Sequence, residues 1–123
     1  MKKNLIVLTV LISVFSFTAQ AQGAASKYYG TWEYECKEAP YGFTTGEIVI
    51  AKKENKSTAT IIFEDGNTNE ASSVKIKNDS LVIKTYIEGS YVEIELKEKD
   101  SKLVGFSHSD NGTLNITAKK KKE

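Results

Sequence analysis

The side chains best suited to covalent catalysis are few in this chain of 123 residues, which holds one cysteine and one histidine. Cys36 with His108 as its base would be the simplest catalytic pair, because a thiol nucleophile needs an activating neighbour. A single histidine cannot form a histidine cluster around a metal ion, and it offers little choice for a Ser-His-Asp set. Glu93 and Glu95 alternate beside lysines, which is typical of a solvated surface. We therefore predict that the protein is not an enzyme and carries no metal or cofactor.

The basic side chains other than His108 are all lysine, 17 in number, and the chain contains no arginine. The guanidinium fork that usually binds carboxylates and phosphates is therefore missing from the sequence. The run at residues 119–122 concentrates positive charge at the end of the chain. We expect an acidic folded body that does not bind nucleic acid. The run itself is either a solvated chain end or a contact for anionic lipid headgroups.

Residues 1–21 have the pattern of a cleavable signal peptide. Lysines open the segment, residues 5–17 form an apolar run, and Ala19-Gln20-Ala21 supplies a small-x-small cleavage site. The apolar run is too short for a permanent membrane span. We expect a periplasmic or secreted protein, a monomer with no integral membrane segment after cleavage. A linker at 22–27, one barrel at 28–119 and a basic tail at 120–123 would follow.

Beyond residue 30, apolar and polar residues alternate in short segments, which is the period of a strand with one buried face. If Glu88-Gly89 is a two-residue turn, Ile83 faces Ile94 on the inner side. Turns at Glu54-Asn55 and Asn78-Asp79 bring apolar residues together inside in the same way, and a one-residue slip would invert every face. The predicted strands are 31–37, 46–52, 57–64, 72–77, 80–87, 90–97, 102–109 and 113–119.

Eight short strands in hairpin succession predict an all-β protein, an antiparallel up-and-down β-barrel. Pairing of the first strand with the last would remove the exposed edges. An eight-stranded barrel is either filled by side chains or holds one small ligand, and both remain open. The predicted interior is Trp32, Tyr34, Cys36, Ile48, Ile50, Ala59, Ile61, Phe63, Val74, Ile76, Leu81, Ile83, Val92, Ile94, Leu96, Leu103, Leu114 and Ile116.

The seventh strand has two possible orientations. Turns at Lys99-Asp100 and Asn111-Gly112 both direct Leu103 inward and His108 outward. A three-residue loop at 110–112 with a bulge would instead bury His108. We favour the first orientation because two turns agree on it, and in that orientation His108 cannot pair with Cys36.

In such a barrel, the loops after odd-numbered strands share one rim, and the long loop 38–45 carries two aromatic residues. Tyr41 and Phe43 would form an entry gate for a hydrophobic molecule, or else fold down as a lid. Tyr28, Tyr29 and Trp32 would plug the opposite rim. The predicted ligand-binding residues are Tyr34, Tyr41, Phe43, Ile50, Phe63 and Ile83.

Three short motifs give the chain a family resemblance. Gly30-Thr31-Trp32 matches the G-x-W of the lipocalins, and Pro40-Tyr41-Gly42, Leu103-Val104-Gly105 and a lysine-ended last strand follow in order. The chain thus resembles small exported bacterial lipocalin-like (calycin-type) β-barrel domains of unassigned function. The family's Arg beside the tryptophan is replaced here, with Lys119 or Lys120 as the substitute. Of the Arg and Tyr that hold a carboxylate in fatty-acid-binding relatives, only a Tyr could exist here, at position 34.

Two functions fit this sequence. The first is binding of a small hydrophobic molecule at the open, aromatic-rimmed end. The alternative is a protein-interaction or inhibitor module of the cell envelope, which would have a packed interior and use its loops to bind an envelope protein.

Overall fold

The computed structural model describes residues 25–110 and 112–122, so the predicted signal peptide lies outside the described residues. Nine antiparallel strands form one sheet in this part of the chain. The strands are β1 (Gly30–Glu35), β2 (Thr45–Lys53), β3 (Lys56–Phe63), β4 (Thr68–Glu70), β5 (Ser73–Lys77), β6 (Ser80–Ile87), β7 (Ser90–Lys99), β8 (Lys102–Ser109) and β9 (Gly112–Lys120).

The strand count exceeds the prediction by one because of β4. This strand consists of polar residues, Thr68–Glu70, and therefore lacks the apolar alternation that marks a half-buried strand. The other eight strands correspond to the predicted ones with small changes at their ends. The first and last strands, β1 and β9, pair as predicted.

The backbone ladder is nevertheless not a closed cylinder, which corrects the prediction of full closure. The sheet order is β4-β3-β2-β1-β9-β8-β7-β6-β5, so β4 and β5 are the two edges. They are joined by a bend at Ala71-Ser72. The Ala71 amide donates to the Ala59 carbonyl on β3, and the Ser72 amide donates to the Lys84 carbonyl on β6. The curved sheet thus meets itself at this bend as a partly closed barrel.

Thr85 closes the same seam with its side chain. It is fully buried on β6, where its hydroxyl donates to the Glu70 carbonyl at 3.2 Å and accepts from the Asn69 amide. A buried hydroxyl without partners would be costly, so these bonds explain a polar residue at an inward position.

The hairpin turns follow the turn chemistry of the sequence. Glu54-Asn55, Asn78-Asp79 and Glu88-Gly89 all have positive φ at both positions, as tight two-residue hairpins require. The predicted inward pairs Ile48–Ile61, Ile76–Leu81 and Ile83–Ile94 are confirmed.

The two turns around the seventh predicted strand, β8, lie one residue away from their predicted positions. The first is Asp100-Ser101, so Leu96 pairs with Gly105 instead of Leu103. The second follows Ser109, which pairs with Gly112, and Gly105 pairs with Ile116 instead of Ala118. Each change shifts the register by two residues and leaves the inward face unaltered.

The end of the barrel that carries the chain termini, here called the plugged end, is sealed by aromatic residues as predicted. Tyr28 is fully buried, and its hydroxyl donates to the Asp79 carbonyl at 2.8 Å. The Trp32 indole donates to the Tyr28 carbonyl at 2.9 Å. Both bonds satisfy polar atoms that burial would otherwise leave unpaired.

Lys120 occupies the place of the arginine expected from the family resemblance. Its Nζ lies 4.9 Å from the Trp32 ring centroid and donates to the Tyr29 carbonyl at 2.6 Å. Gly30 leaves room for this ammonium, since a Cβ there would lie 2.5 Å from it and the φ of +129° disfavours other residues. Lys121 forms an ion pair with Glu47, so these two lysines are held against the barrel.

No helix in residues 25–110 and 112–122 is long and apolar enough to cross a membrane.

Candidate ligand cavity

The half of the barrel opposite the plugged end is hollow. A cavity of about 440 Å³ opens at the rim formed by the loops after β1, β3, β6 and β8, here called the open end. The volume falls within the usual range for small-molecule pockets. A wholly filled interior, one of the two states that the sequence left open, is therefore not what the structure shows.

The cavity wall is built from inward positions on seven strands. Its apolar side chains come from β2, β3, β6, β7 and β9. Period-two alternation directs each of them inward, while lysines and glutamates on the same strands face solvent. The apolar residues that line the cavity include Ile48, Ile61, Phe63, Ile87, Val92, Ile94, Leu114 and Ile116.

Two of the predicted ligand-binding residues do not line the cavity. Ile50 and Ile83 are buried, and neither lines the cavity. Ile50 lies opposite Gly30, nearer the plugged end than the Trp32–Ile48 pair. The inward direction of both residues was predicted correctly. The periodicity reports which face a residue occupies and carries no information on whether space remains above it.

The two aromatic residues of the rim loop at 38–45 take different positions. Phe43 lines the cavity and packs edge-on against Phe63, with ring centroids 4.9 Å apart. Tyr41 is 98% exposed and does not line the cavity. The tight turn explains this, since the Phe43 amide donates to the Pro40 carbonyl and Gly42 between them has a φ of +92°. Phe43 thus folds down while Tyr41 projects outward.

Glu64 fastens this loop to the end of β3. Its carboxylate accepts hydrogen bonds from the hydroxyls of Thr44 at 2.9 Å and Thr45 at 2.7 Å. These bonds favour the charged form, chiefly through Thr45, and lower the pKa of Glu64. An ionised carboxylate therefore remains at the rim and keeps the loop in place.

Tyr34 lines the cavity beneath this loop, and its hydroxyl donates to the Phe43 carbonyl at 3.1 Å. Of the predicted ligand-binding residues, Tyr34, Phe43 and Phe63 therefore come together in one place, and their ligand-binding role stays a prediction.

Burial raises the pKa of Tyr34 to about 12 from the ordinary 10.0. Because the folded-state pKa is the higher one, this phenol's contribution to stability is complete below pH 10 and is lost as the pH rises toward 12. We expect the tyrosinate absorbance difference between wild type and Tyr34→Phe to appear near the upper value. A difference that titrates at the ordinary pKa would contradict this placement.

Cys36 and His108 lie on opposite sides of the sheet. Cys36 lines the cavity, is 4% exposed, and has its pKa raised by burial. His108 lies on the outer face of β8, where its Nδ1 is 2.9 Å from the Thr113 hydroxyl. Its neighbours Ser107 and Ser109 are the residues of β8 that line the cavity. The thiol is thus a protonated wall residue, and the outward orientation of His108 keeps the two side chains apart.

The cavity mouth carries negative charge, a feature that the sequence interpretation missed. The charged residues among those that line the cavity in the described chain are Glu38 and Glu88. Asp65 and Asp110 lie in the remaining loops of the same rim. The signal was available in the sequence, because the loops of this rim are rich in acidic residues.

Comparison with solved structures supports the fold of the protein. No protein-family model and no curated protein sequence matches the chain. A solved structure of a mutant of the fluorescent protein UnaG is similar, with a TM-score of 0.50 and 16% sequence identity. The match covers 80% of this chain and 99% of that one. The fold is therefore that of a calycin-type β-barrel.

Proposed function

We propose that this protein is an exported, non-enzymatic carrier or scavenger that binds a small hydrophobic molecule in the cavity at its open end. The observation that carries the proposal is the cavity itself, about 440 Å³ in volume and walled by apolar side chains. Removing an apolar molecule from water into such a space contributes about 25 cal/mol per Å² of buried surface. Export rests on the signal-peptide pattern of residues 1–21.

The negative charge at the cavity mouth limits the class of ligand that the cavity would bind. Glu38 and Glu88 at the entrance would repel a carboxylate, and lysine is absent from the described lining. Tyr34, the one residue expected to hold a carboxylate, already donates its hydroxyl to the Phe43 carbonyl. The ligand class that fits is a neutral or cationic amphiphile rather than a fatty acid anion.

A displacement experiment tests both parts of this proposal. Nile red, a neutral probe, should fluoresce on binding and be displaced by dodecyltrimethylammonium at lower concentration than by laurate, which has the same chain length. We expect a difference of at least about fivefold, since one charge pair near contact in water contributes about 1 kcal/mol and about 1.4 kcal/mol corresponds to tenfold. The double variant Glu38→Gln, Glu88→Gln should reduce this difference.

Two outcomes would contradict the proposal. Absence of probe binding at any concentration below probe aggregation would remove the ligand-binding function. Tighter binding of laurate than of the cation would leave the cavity in use but overturn the ligand class.

The alternative function, a protein-interaction module, predicts a packed interior. The open half of the barrel is hollow, so that premise is not met. The cavity therefore favours the ligand-binding function.

A further inference from the structure

We infer that the plugged end of the barrel docks on the surface of an anionic lipid bilayer, a property that goes beyond ligand binding. Exposed lysines are concentrated at this end of the barrel. Hairpin turns after β2, β5 and β7 share this end with both chain termini. The exposed lysines of the first and third of these hairpins are Lys52, Lys53, Lys56, Lys97, Lys99 and Lys102, here called the lysine cluster.

The end of the chain adds to the same surface. Lys119 and Lys122 are exposed there, and Lys120 is anchored on Trp32 at the centre of the plugged end. The folded body before residue 119 is acidic overall, as the sequence predicts, but its charge is unevenly distributed. Lysines outnumber the acidic residues Glu54, Asp79 and Asp100 in the hairpins of the plugged end, whereas the mouth is acidic.

The pairing of these lysines is unfavourable in the isolated protein. Lys53 lies directly opposite Lys56, and Lys99 lies opposite Lys102. Lys102 also lies opposite Lys119, whose partner on β1 is Glu33. Like charges on directly opposed strand positions repel and destabilise a sheet. On the outer wall, by contrast, Lys84 lies opposite Glu93. An extended anionic surface against the plugged end would relieve the repulsion within the Lys53–Lys56 and Lys99–Lys102 pairs at once.

A bilayer fits this surface better than a nucleic acid does. Lysine is a compact point charge that suits a plane of headgroups, whereas base recognition and phosphate clamping favour the arginine fork. Single-stranded nucleic acid also requires aromatic stacking platforms. The large exposed apolar side chains of the described chain are Tyr41, Tyr86, Tyr91 and Phe106, and none lies at the plugged end.

The chain path points the same way. Residues 25–28 form a turn that ends at Tyr28, whose hydroxyl bonds the Asp79 carbonyl in the middle hairpin of the plugged end. The predicted signal segment, with its apolar run at 5–17, precedes this turn in the sequence. Before its predicted cleavage, that segment would hold the plugged end toward the membrane and leave the cavity mouth free.

Partitioning of the protein into lipid vesicles tests the inference. The protein used lacks residues 1–21, which contribute none of the described strands. The vesicles are a two-to-one mixture of phosphatidylcholine and phosphatidylglycerol, with pure phosphatidylcholine as reference. The test variant carries Lys97→Gln, Lys99→Gln and Lys102→Gln. The matched control carries Lys37→Gln, Lys75→Gln and Lys84→Gln, exposed lysines outside the plugged end with the same total charge change.

We expect the test variant to partition about 100-fold more weakly into the mixed vesicles. Each lysine at an anionic surface contributes roughly 1 kcal/mol, three are removed, and about 1.4 kcal/mol corresponds to tenfold. The control should change far less, and added salt should weaken wild-type binding. The test variant should also melt at a higher temperature than wild type in the absence of vesicles, because the opposed Lys99–Lys102 pair is gone.

Several results would overturn the inference. Equal losses in both triple variants would show an effect of net charge alone. Absence of wild-type binding to the mixed vesicles, or equal binding to pure phosphatidylcholine, would remove the anionic bilayer as partner. Tighter binding of an oligonucleotide than of vesicles would assign the surface to nucleic acid. Nile red binding should be unchanged in both variants, which separates this test from that of the cavity.

Discussion

Ser107→Trp is expected to lower the affinity for Nile red by at least about tenfold, because the indole would fill space that the probe needs. Ser107 lies on β8 between Ile94 and Leu114 and lines the cavity. The added rings would be buried among apolar neighbours, so the variant should remain folded. Fluorescence titration measures the affinity, and a urea melt of the same sample verifies the fold.

The matched control is Asn115→Trp, which adds the same rings to the outer face. Asn115 is exposed on β9 and lies opposite Phe106 on β8. It should leave the affinity for Nile red unchanged. Equal affinity in both variants would place the probe outside the cavity and remove the main support for the proposed function.

Gly105→Ala is expected to cause the largest loss of stability, about 3 kcal/mol, at the upper end of the usual cost of overpacking. A Cβ at Gly105 would overlap the carbonyl oxygen of Glu95 on β7 and crowd the Cα of Leu96. These atoms belong to the backbone of the β7–β8 ladder, so relief requires the two strands to separate. The free energy of unfolding by urea measures the loss, and the melting temperature should fall by more than ~10 °C.

Ser107→Ala provides the control for this variant, because it alters the same strand on the same face without adding an atom. We expect it to change the free energy of unfolding by less than about 0.5 kcal/mol. If Gly105→Ala were as mild, the close approach of β7 and β8 at this position would be wrong.

The strands and their inward faces could be predicted because each hairpin carries two independent signals. The alternation of apolar residues sets the face, and the turn residues set the register. At Asp100-Ser101 the turn lies one residue beyond the predicted position, yet Leu103 still faces inward. A displaced two-residue turn moves the pairing by two positions, which preserves the face of every residue in the strand.

The candidate site was predicted only in part. Of the predicted ligand-binding residues, Tyr34, Phe43 and Phe63 line the cavity, whereas Ile50 and Ile83 are buried outside it. Tyr41 projects into solvent. The other five point toward the barrel axis, so the sequence alone could not separate them. The difference depends on how far the packed layer rises, and this is set by the summed volume of many side chains from different strands.

The sequence by itself determined the antiparallel succession of strands, the apolar interior and the aromatic residues that close the plugged end. Strand period and turn chemistry are local properties of the chain. Only the tertiary structure decided four further features: the bend at Ala71-Ser72, the hollow upper half, the seat of Lys120 on Trp32 and the separation of charge between the two ends. Each of these depends on the curvature of the whole sheet, which brings together residues distant in sequence. No local pattern encodes that curvature.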